Sequence, residues 1–159
     1  MKPVTVSIDV PDRRDEVYDF LAVSAAHESF TDHMMRDWSC SGPDRGVGSR
    51  AHVTAVLGGR REPVDIEVIE DVPPERIVER NVSARGSRVA TGTYVLDALP
   101  AGGTRVRFTY AWERAPLADR IMAPLVHRIM HHALDVALQR LARELARRRL
   151  GTREMAAQE

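Results

Sequence analysis

The feature that most restricts this chain is a change of apolar spacing at Ala115-Pro116. Before it, from Asp37 onward, short β-type runs alternate with turn clusters. After it, Met122, Val126, Ile129, Met130, Ala133, Ala137, Leu141 and Leu145 form one broad helical stripe reaching to about Arg149. A helix with so wide an apolar face must bury it, and the preceding strands are the partner that the chain offers. The spacing therefore predicts an α+β domain in which a long C-terminal helix closes over a curved antiparallel sheet.

The strands follow from period-two alternation. Val4, Val6, Ile8 and Val10 alternate with Thr5, Ser7 and Asp9 in the first. The others are expected over Asp37 to Ser41, Ser49 to Leu57, Glu62 to Glu70, Arg76 to Ala84, Arg88 to Leu99 and Thr104 to Glu113. Their connections, such as Gly58-Gly59, Pro73-Pro74 and Ala101-Gly102-Gly103, are short enough to favour antiparallel neighbours. Between the first strand and the meander, Val17, Tyr18, Phe20 and Leu21 predict a short helix. Ser24 is the candidate cap of a second helix carrying Ala26, Phe30 and Met34. Pro124 removes a backbone donor early in the long helix, so a kink or a separate short helix is expected there. A lid over Leu117 to Ala123 is the corresponding functional expectation. Residues 1–150 read as one ligand-binding domain, and 151–159 as a flexible polar tail.

Charge and cysteine content narrow the function classes. Lys plus Arg and Asp plus Glu are 23 each, so no global field favours nucleic acid or an anionic membrane. The lone Cys40 has no CxxC or Cys/His spacing around it and fits a reducing cytoplasm. The first residues reach Asp9 without an apolar stretch of signal-peptide type, and the run from Ile121 to Val126 is far short of the ~20 residues that cross a bilayer.

Val106, Phe108, Tyr110 and Trp112 share one side of the last strand, facing the helix, while Arg105, Arg107 and Thr109 share the other. Neighbouring strands present small residues on their apolar faces: Ala51, Val53 and Ala55 on one, Ala90, Gly92 and Tyr94 on another. Small walls opposite large side chains allow a pocket, and they equally allow a filled, interdigitated core.

Several local runs resemble the helix-grip fold of the START and Bet v1-like (SRPBCC) superfamily. Val10-Pro11 with Glu16-Val17-Tyr18-Asp19-Phe20-Leu21 is similar to that group's first strand and helix. Val72-Pro73-Pro74-Glu75-Arg76-Ile77 is similar to its Pro-Pro turn, and Gly102-Gly103-Thr104-Arg105-Val106 to its entry into the last strand. Ala123-Pro124-Leu125 ahead of Leu141-Ala142-Arg143-Glu144-Leu145 is similar to its closing helix. The match spans Val4 to Arg149 and points to the polyketide cyclase, dehydrase and lipid-transport-like branch. Relatives often carry a tryptophan in the second short helix, where this chain has His27-Glu28-Ser29-Phe30. The resemblance implies a sheet of about seven strands wrapped on the C-terminal helix, two short helices after the first strand, and a cavity for a lipid, polyketide or other aromatic molecule.

The residues expected to line that cavity are Tyr94, Phe108, Tyr110, Trp112, Met122, Val126, Ile129 and Met130, with no metal and no organic cofactor. The leading expectation is a carrier or sensor of a small hydrophobic molecule. An aromatase or cyclase acting on a poly-β-ketone is the alternative, with Arg80 or a tyrosine steering proton transfer. Arg80 serves only if it shares the cavity face with Val78 and Val82, and the rival alternation through Ile77 is equally apolar. A partner-binding adaptor using the exposed sheet face is the third reading. His127, His131 and Asp135 share a helical strip that is expected to be solvated rather than metal-binding. His132 is expected at the rim, His52 outward, and Trp38 at a strand end. His27, Glu28, Asp32 and His33 have acid–base spacing but are expected on an exposed helix face.

Overall fold

The computed structural model describes residues 1–157. In chain order they form β1 (Val4–Val10), α1 (Arg14–Leu21), a 3₁₀ turn (Ser24–His27), α2 (Glu28–Thr31), β2 (Met35–Ser41), β3 (Arg50–Leu57), β4 (Arg60–Val72) and β5 (Arg76–Ser83). A second 3₁₀ turn (Ala84–Gly86), β6 (Arg88–Ala98), β7 (Thr104–Arg114), α3 (Leu117–Ile121) and α4 (Ala123–Ala156) complete the chain. The strands make one seven-stranded sheet in the order β1-β7-β6-β5-β4-β3-β2, with every neighbouring pair antiparallel. This is an α+β helix-grip architecture. β1 crosses to the far edge because its pairing with β7, Val4 opposite Tyr110 through Val10 opposite Thr104, joins the two ends of the sheet-forming sequence.

Alternation along the strands decides which face packs on α4. Val4, Val6 and Val10 of β1, Leu96 of β6 and Val106 of β7 are buried in one cluster with Met130, Ala133, Leu134, Ala137, Leu138, Leu141 and Leu145 of α4. Leu134 and Leu138 widen the stripe read from the sequence. A second cluster, Ala51, Val53, Val64 and Ile66, lies farther along the sheet with Met35, Trp38 and Ala55 against it. The two clusters flank the region where sheet and helix are less fully filled.

Three sets of boundaries differ in detail from the sequence reading, and the separate short helix expected before the long one is present. The second helix is only a 3₁₀ turn and one α-turn, because the Ser24 hydroxyl bonds the Ser49 hydroxyl at 2.8 Å instead of capping, and Met34 lies beyond the last turn. β2 consequently starts at Met35 and carries a register shift between Arg36 and Ser39, with Asp37 at φ 56°. The break before the long helix falls at Met122, which separates α3 from α4 and places Pro124 in the first turn of α4, where its missing donor has no helical partner to lose. α4 also runs on through Gly151 to Ala156, where the spacing predicts a polar tail; residues 158 and 159 of that tail lie outside the described residues. No helix among the described residues is long and apolar enough to cross a membrane.

Candidate functional site

Between the sheet and the first half of α4 lies a cavity of about 350 Å³, bounded by the β3–β4 hairpin, α3 and α4. Its apolar wall includes Met35, Leu57, Tyr110, Trp112, Met122, Val126, Ile129 and Met130. Gly58 at the hairpin tip has φ +57°, and a Cβ there would stand 3.2 Å from Ile129 Cδ1, so glycine permits both the turn and the approach to α4. A smaller compartment of about 40 Å³ continues inward, sharing Met34, Met35, Asn81, Tyr110 and Met130 with the outer one. Tyr94 and Phe108 line this inner end, their rings 4.5 Å apart. All the side chains assigned to the cavity from the sequence thus border one compartment or the other, although Met122 is half exposed at the outer end.

The polar lining is less expected. In β5, Ile77, Glu79, Asn81 and Ser83 are buried, and Arg80 is exposed on the other face together with the half-buried Val78 and Val82. Arg80 therefore faces away from the cavity, because Ile77 joins the core cluster and fixes the alternation. It stands in a shallow depression on the outer face with Arg50, His52 and Asp65. His52 points outward, as expected, and its Nδ1 lies 2.7 Å from Asp65.

His27 departs from its expected exposure. The 3₁₀ turn rotates it inward, leaving it 4% exposed among the rings of Phe30, Trp38 and Tyr94, while Glu28 remains in solvent. Its Nε2 lies 2.7 Å from the Leu21 carbonyl, so that nitrogen carries the proton and donates it there. Nδ1 then faces Glu79 Oε1 at 3.6 Å. Asp32 pairs with Arg140, and His33 Nε2 donates to the Ala133 carbonyl at 2.9 Å, tying the turn after α2 to α4. Along α4, His127 Nε2 meets the Pro3 carbonyl at 3.2 Å, Asp135 accepts from Gln139, and His131 and His132 are exposed. Among the described residues, no group of three or more His, Cys, Asp or Glu converges as a metal site would require.

Burial sets the protonation of the inner end. It raises the Glu79 carboxyl above its ordinary value, with His27 opposing. It also raises Tyr94 well above the usual phenol range, helped by the Glu79 charge, and lifts Tyr110 to about 12, so both phenols remain hydrogen-bond donors at neutral pH. Folded Glu79 keeps a proton that the unfolded chain has already released, so stability falls as pH rises from the ordinary carboxyl range through the raised value. Glu79→Gln should be insensitive to that loss. Urea unfolding of both proteins from pH 4 to 8 should show the variant gaining on the parent as pH rises; a gap that moves the other way contradicts the assignment.

Beside the outer compartment, Arg88 Nε and Nη2 donate to Asp119 Oδ2 at 2.8 and 2.6 Å, and Nη1 donates to Glu62 and, at 3.2 Å, to the Ser83 hydroxyl. Asp119 is 5% exposed and sits on α3, so this cluster fastens α3 to β4 and β6. Residues 31 positions apart in the chain form it, and no local spacing announces the pair.

The match to protein families decides the relationship: the model described as polyketide cyclase / dehydrase and lipid transport covers residues 1–146. The chain belongs to this family. As a family member within the SRPBCC superfamily, it shares its fold with solved structures at low sequence identity. TTHA0849 from Thermus thermophilus is similar with a TM-score of 0.73 and 20% identity over 91% of this chain and 97% of that one. The Zhui aromatase/cyclase from Streptomyces sp. R1128 is similar with a TM-score of 0.74 and 16% identity over 92% and 94%. MLL2253 from Mesorhizobium loti gives 0.68 and 18% over 92% and 98%. Among curated proteins, none matches the chain.

Proposed function

We propose that this family member binds a small hydrophobic molecule, a lipid, polyketide or other aromatic, between the sheet and α4, as a carrier or sensor. The observation that carries the reading is the space of about 350 Å³, walled mainly by apolar side chains with a polar margin of Arg60, Glu62, Asn81, Ser83, Arg88 and Asp119, a size within the ~300–1,000 Å³ range of small-molecule pockets. Methionines at 34, 35, 122 and 130 suit guests of varied shape, since an unbranched thioether repacks easily. The test is native mass spectrometry of protein purified without added ligand. An apolar adduct should accompany the parent chain and be lost from Val126→Trp, whose indole occupies the outer compartment. A bare parent mass, together with no uptake of added fatty acid or naphthalene, removes the reading.

The second reading is an aromatase or cyclase acting on a poly-β-ketone, as the name of the Zhui protein states aromatase/cyclase for that relative. The observation favouring it here is the His27 and Glu79 pair at the inner end, an acid–base couple of the kind that proton transfer needs. Turnover of a poly-β-ketone mimic should then disappear in Glu79→Gln and persist in Arg80→Ala, because Arg80 is on the outer face. A protein that takes up apolar guests but leaves such a mimic unchanged is a carrier or sensor.

A further inference from the structure

The outer compartment carries Arg60, Glu62, Ser83, Arg88 and Asp119 beside its apolar wall, and the last four are bonded together through Arg88; the inner end instead holds polar groups whose hydrogen-bonding capacity no protein partner uses. Glu79 is 7% exposed, and among the described residues its carboxylate accepts no hydrogen bond; the His27 Nδ1 that faces it stands at 3.6 Å. That distance exceeds hydrogen-bond range. Asn81, also 7% exposed, and the Tyr94 hydroxyl likewise have no side-chain hydrogen bond among the described residues, although Tyr94 is only 5% exposed. The sealed unpaired polar atoms among the described residues are Asp12 Oδ2 and His33 Nδ1; those of Glu79, Asn81 and Tyr94 open on the inner space, and a cluster of unpaired polar groups in one wall of a cavity marks a place where a guest supplies the partners.

The chemistry of that guest follows from the set. Glu79 accepts through either oxygen when ionised and through its carbonyl oxygen when protonated, whereas the Asn81 amide and the protonated Tyr94 hydroxyl can both donate. The complementary group offers one donor and one acceptor from a single atom, which is a hydroxyl. An anionic end would meet the Glu79 carboxylate in a low-dielectric site. A cationic end would compete with His27, which already faces that carboxylate and is held there by its bond to the Leu21 carbonyl. Size agrees: the inner space of about 40 Å³ equals about three or four water-sized volumes at ~10–15 Å³ each, enough for a hydroxyl but not for a ring. Asn81, Tyr110 and Met130 border both compartments, so a hydroxyl placed inside leaves its apolar body in the outer one.

We propose that the inner compartment is a recognition site for a neutral hydroxyl at the leading end of the apolar guest, with Glu79 accepting from it and Asn81 or Tyr94 donating to it. The site rests on the cavity-binding reading above and adds polarity and orientation to it: the guest enters hydroxyl first. His27 acts on the guest through Glu79 and is a positioning residue.

Three probes of one shape test the site: naphthalene, 2-methoxynaphthalene and 2-naphthol, titrated by isothermal calorimetry into the parent, Glu79→Gln and Glu79→Met. In the parent, 2-naphthol should bind at least tenfold more tightly than 2-methoxynaphthalene, which cannot donate. That preference should shrink severalfold in Glu79→Gln, which keeps an uncharged acceptor, and vanish in Glu79→Met. Far-UV circular dichroism and the unfolding midpoint of the three proteins report that the variants are folded, and each preference is read as the ratio of the two oxygenated probes within one protein. Equal binding of the two oxygenated probes to the parent, or a preference that survives Glu79→Met, overturns the hydroxyl site and leaves the apolar cavity standing. Failure of naphthalene to bind the parent removes the cavity reading and the hydroxyl site with it.

Discussion

Replacing Leu141 by Ala should lower the unfolding free energy by about 2–5 kcal/mol, with the result at the upper part of that range. Leu141 is completely buried at the centre of the α4 stripe, in the cluster that contains Val4, Val6 and Val10 of β1 and Val106 of β7. Its surroundings resist collapse into the vacated volume, because a hydrogen-bonded sheet forms one wall and a continuous helix the other. Met130→Ala supplies the contrast. Met130 is 8% exposed and borders both compartments of the cavity, so truncation there enlarges existing space instead of opening a sealed one. Urea unfolding should therefore rank Leu141→Ala well below Met130→Ala in midpoint. In thermal melts the former should fall by several degrees, at ~2–4 °C per kcal/mol for a chain of this size. Equal losses at the two positions would mean that the cavity does not exist in solution.

Arg88→Ala is the second large effect. The guanidinium sits between Glu62 and Asp119, and its removal leaves two carboxylates facing each other with Asp119 almost wholly out of water. Breaking one side of a buried ion pair costs about 3–5 kcal/mol; partial exposure of Glu62 should bring the loss to the lower end of that range. The loss has a location. Asp119 is the only buried side chain of α3, whose Leu117 and Ile121 are about 70% exposed, so little else holds that helix down. Amide hydrogen exchange in Leu117–Ile121 should accelerate in Arg88→Ala far more than in the Leu134 to Leu145 part of α4, as expected if this short helix is the movable cover of the outer compartment. Arg88→Ala with Asp119→Asn should recover part of the stability, because the second change removes the charge that the first leaves unpaired. Uniform acceleration along α3 and α4 would reject the fastening role.

The elements that carry the fold were readable because their burial is one-sided. β1 alternates apolar and polar residues throughout, β7 does so from Arg105 to Tyr110, and the α4 stripe repeats at helical spacing, so each of these elements names the face on which it packs. The apolar lining of the cavity was readable for the same reason, being the part of those faces nearest the first half of α4. The polar inner end was not. In β5 the outward face carries Val78 and Val82, which pack on neighbours across the sheet surface, while the inward face carries Glu79, Asn81 and Ser83. Hydrophobicity alone does not choose the side there, because Val78 and Val82 on one alternation compete with Ile77 on the other, and the strand departs from the pattern that the rest of the sheet obeys, as strands at functional sites often do. His27 was concealed differently. Its neighbours Glu28, Asp32 and His33 suggest a polar α-helical face, but a 3₁₀ turn advances 120° per residue, and that change of phase sends His27 to the interior. The contact that would have revealed both, His27 with Glu79, joins segments far apart in the chain, and only the folded sheet brings them together.

The slip in β2 bears on how copies of this protein behave when concentrated. β2 is the last strand of an open sheet, the position at which a stranger's backbone can join and start a fibril. Its ladder to β3 is interrupted between Arg36 and Ser39, and Asp37 turns through a left-handed conformation with its charge in solvent. An incoming chain would find a straight template only over Ser39 to Ser41, too short to nucleate polymerisation, so the irregular border keeps the molecules apart.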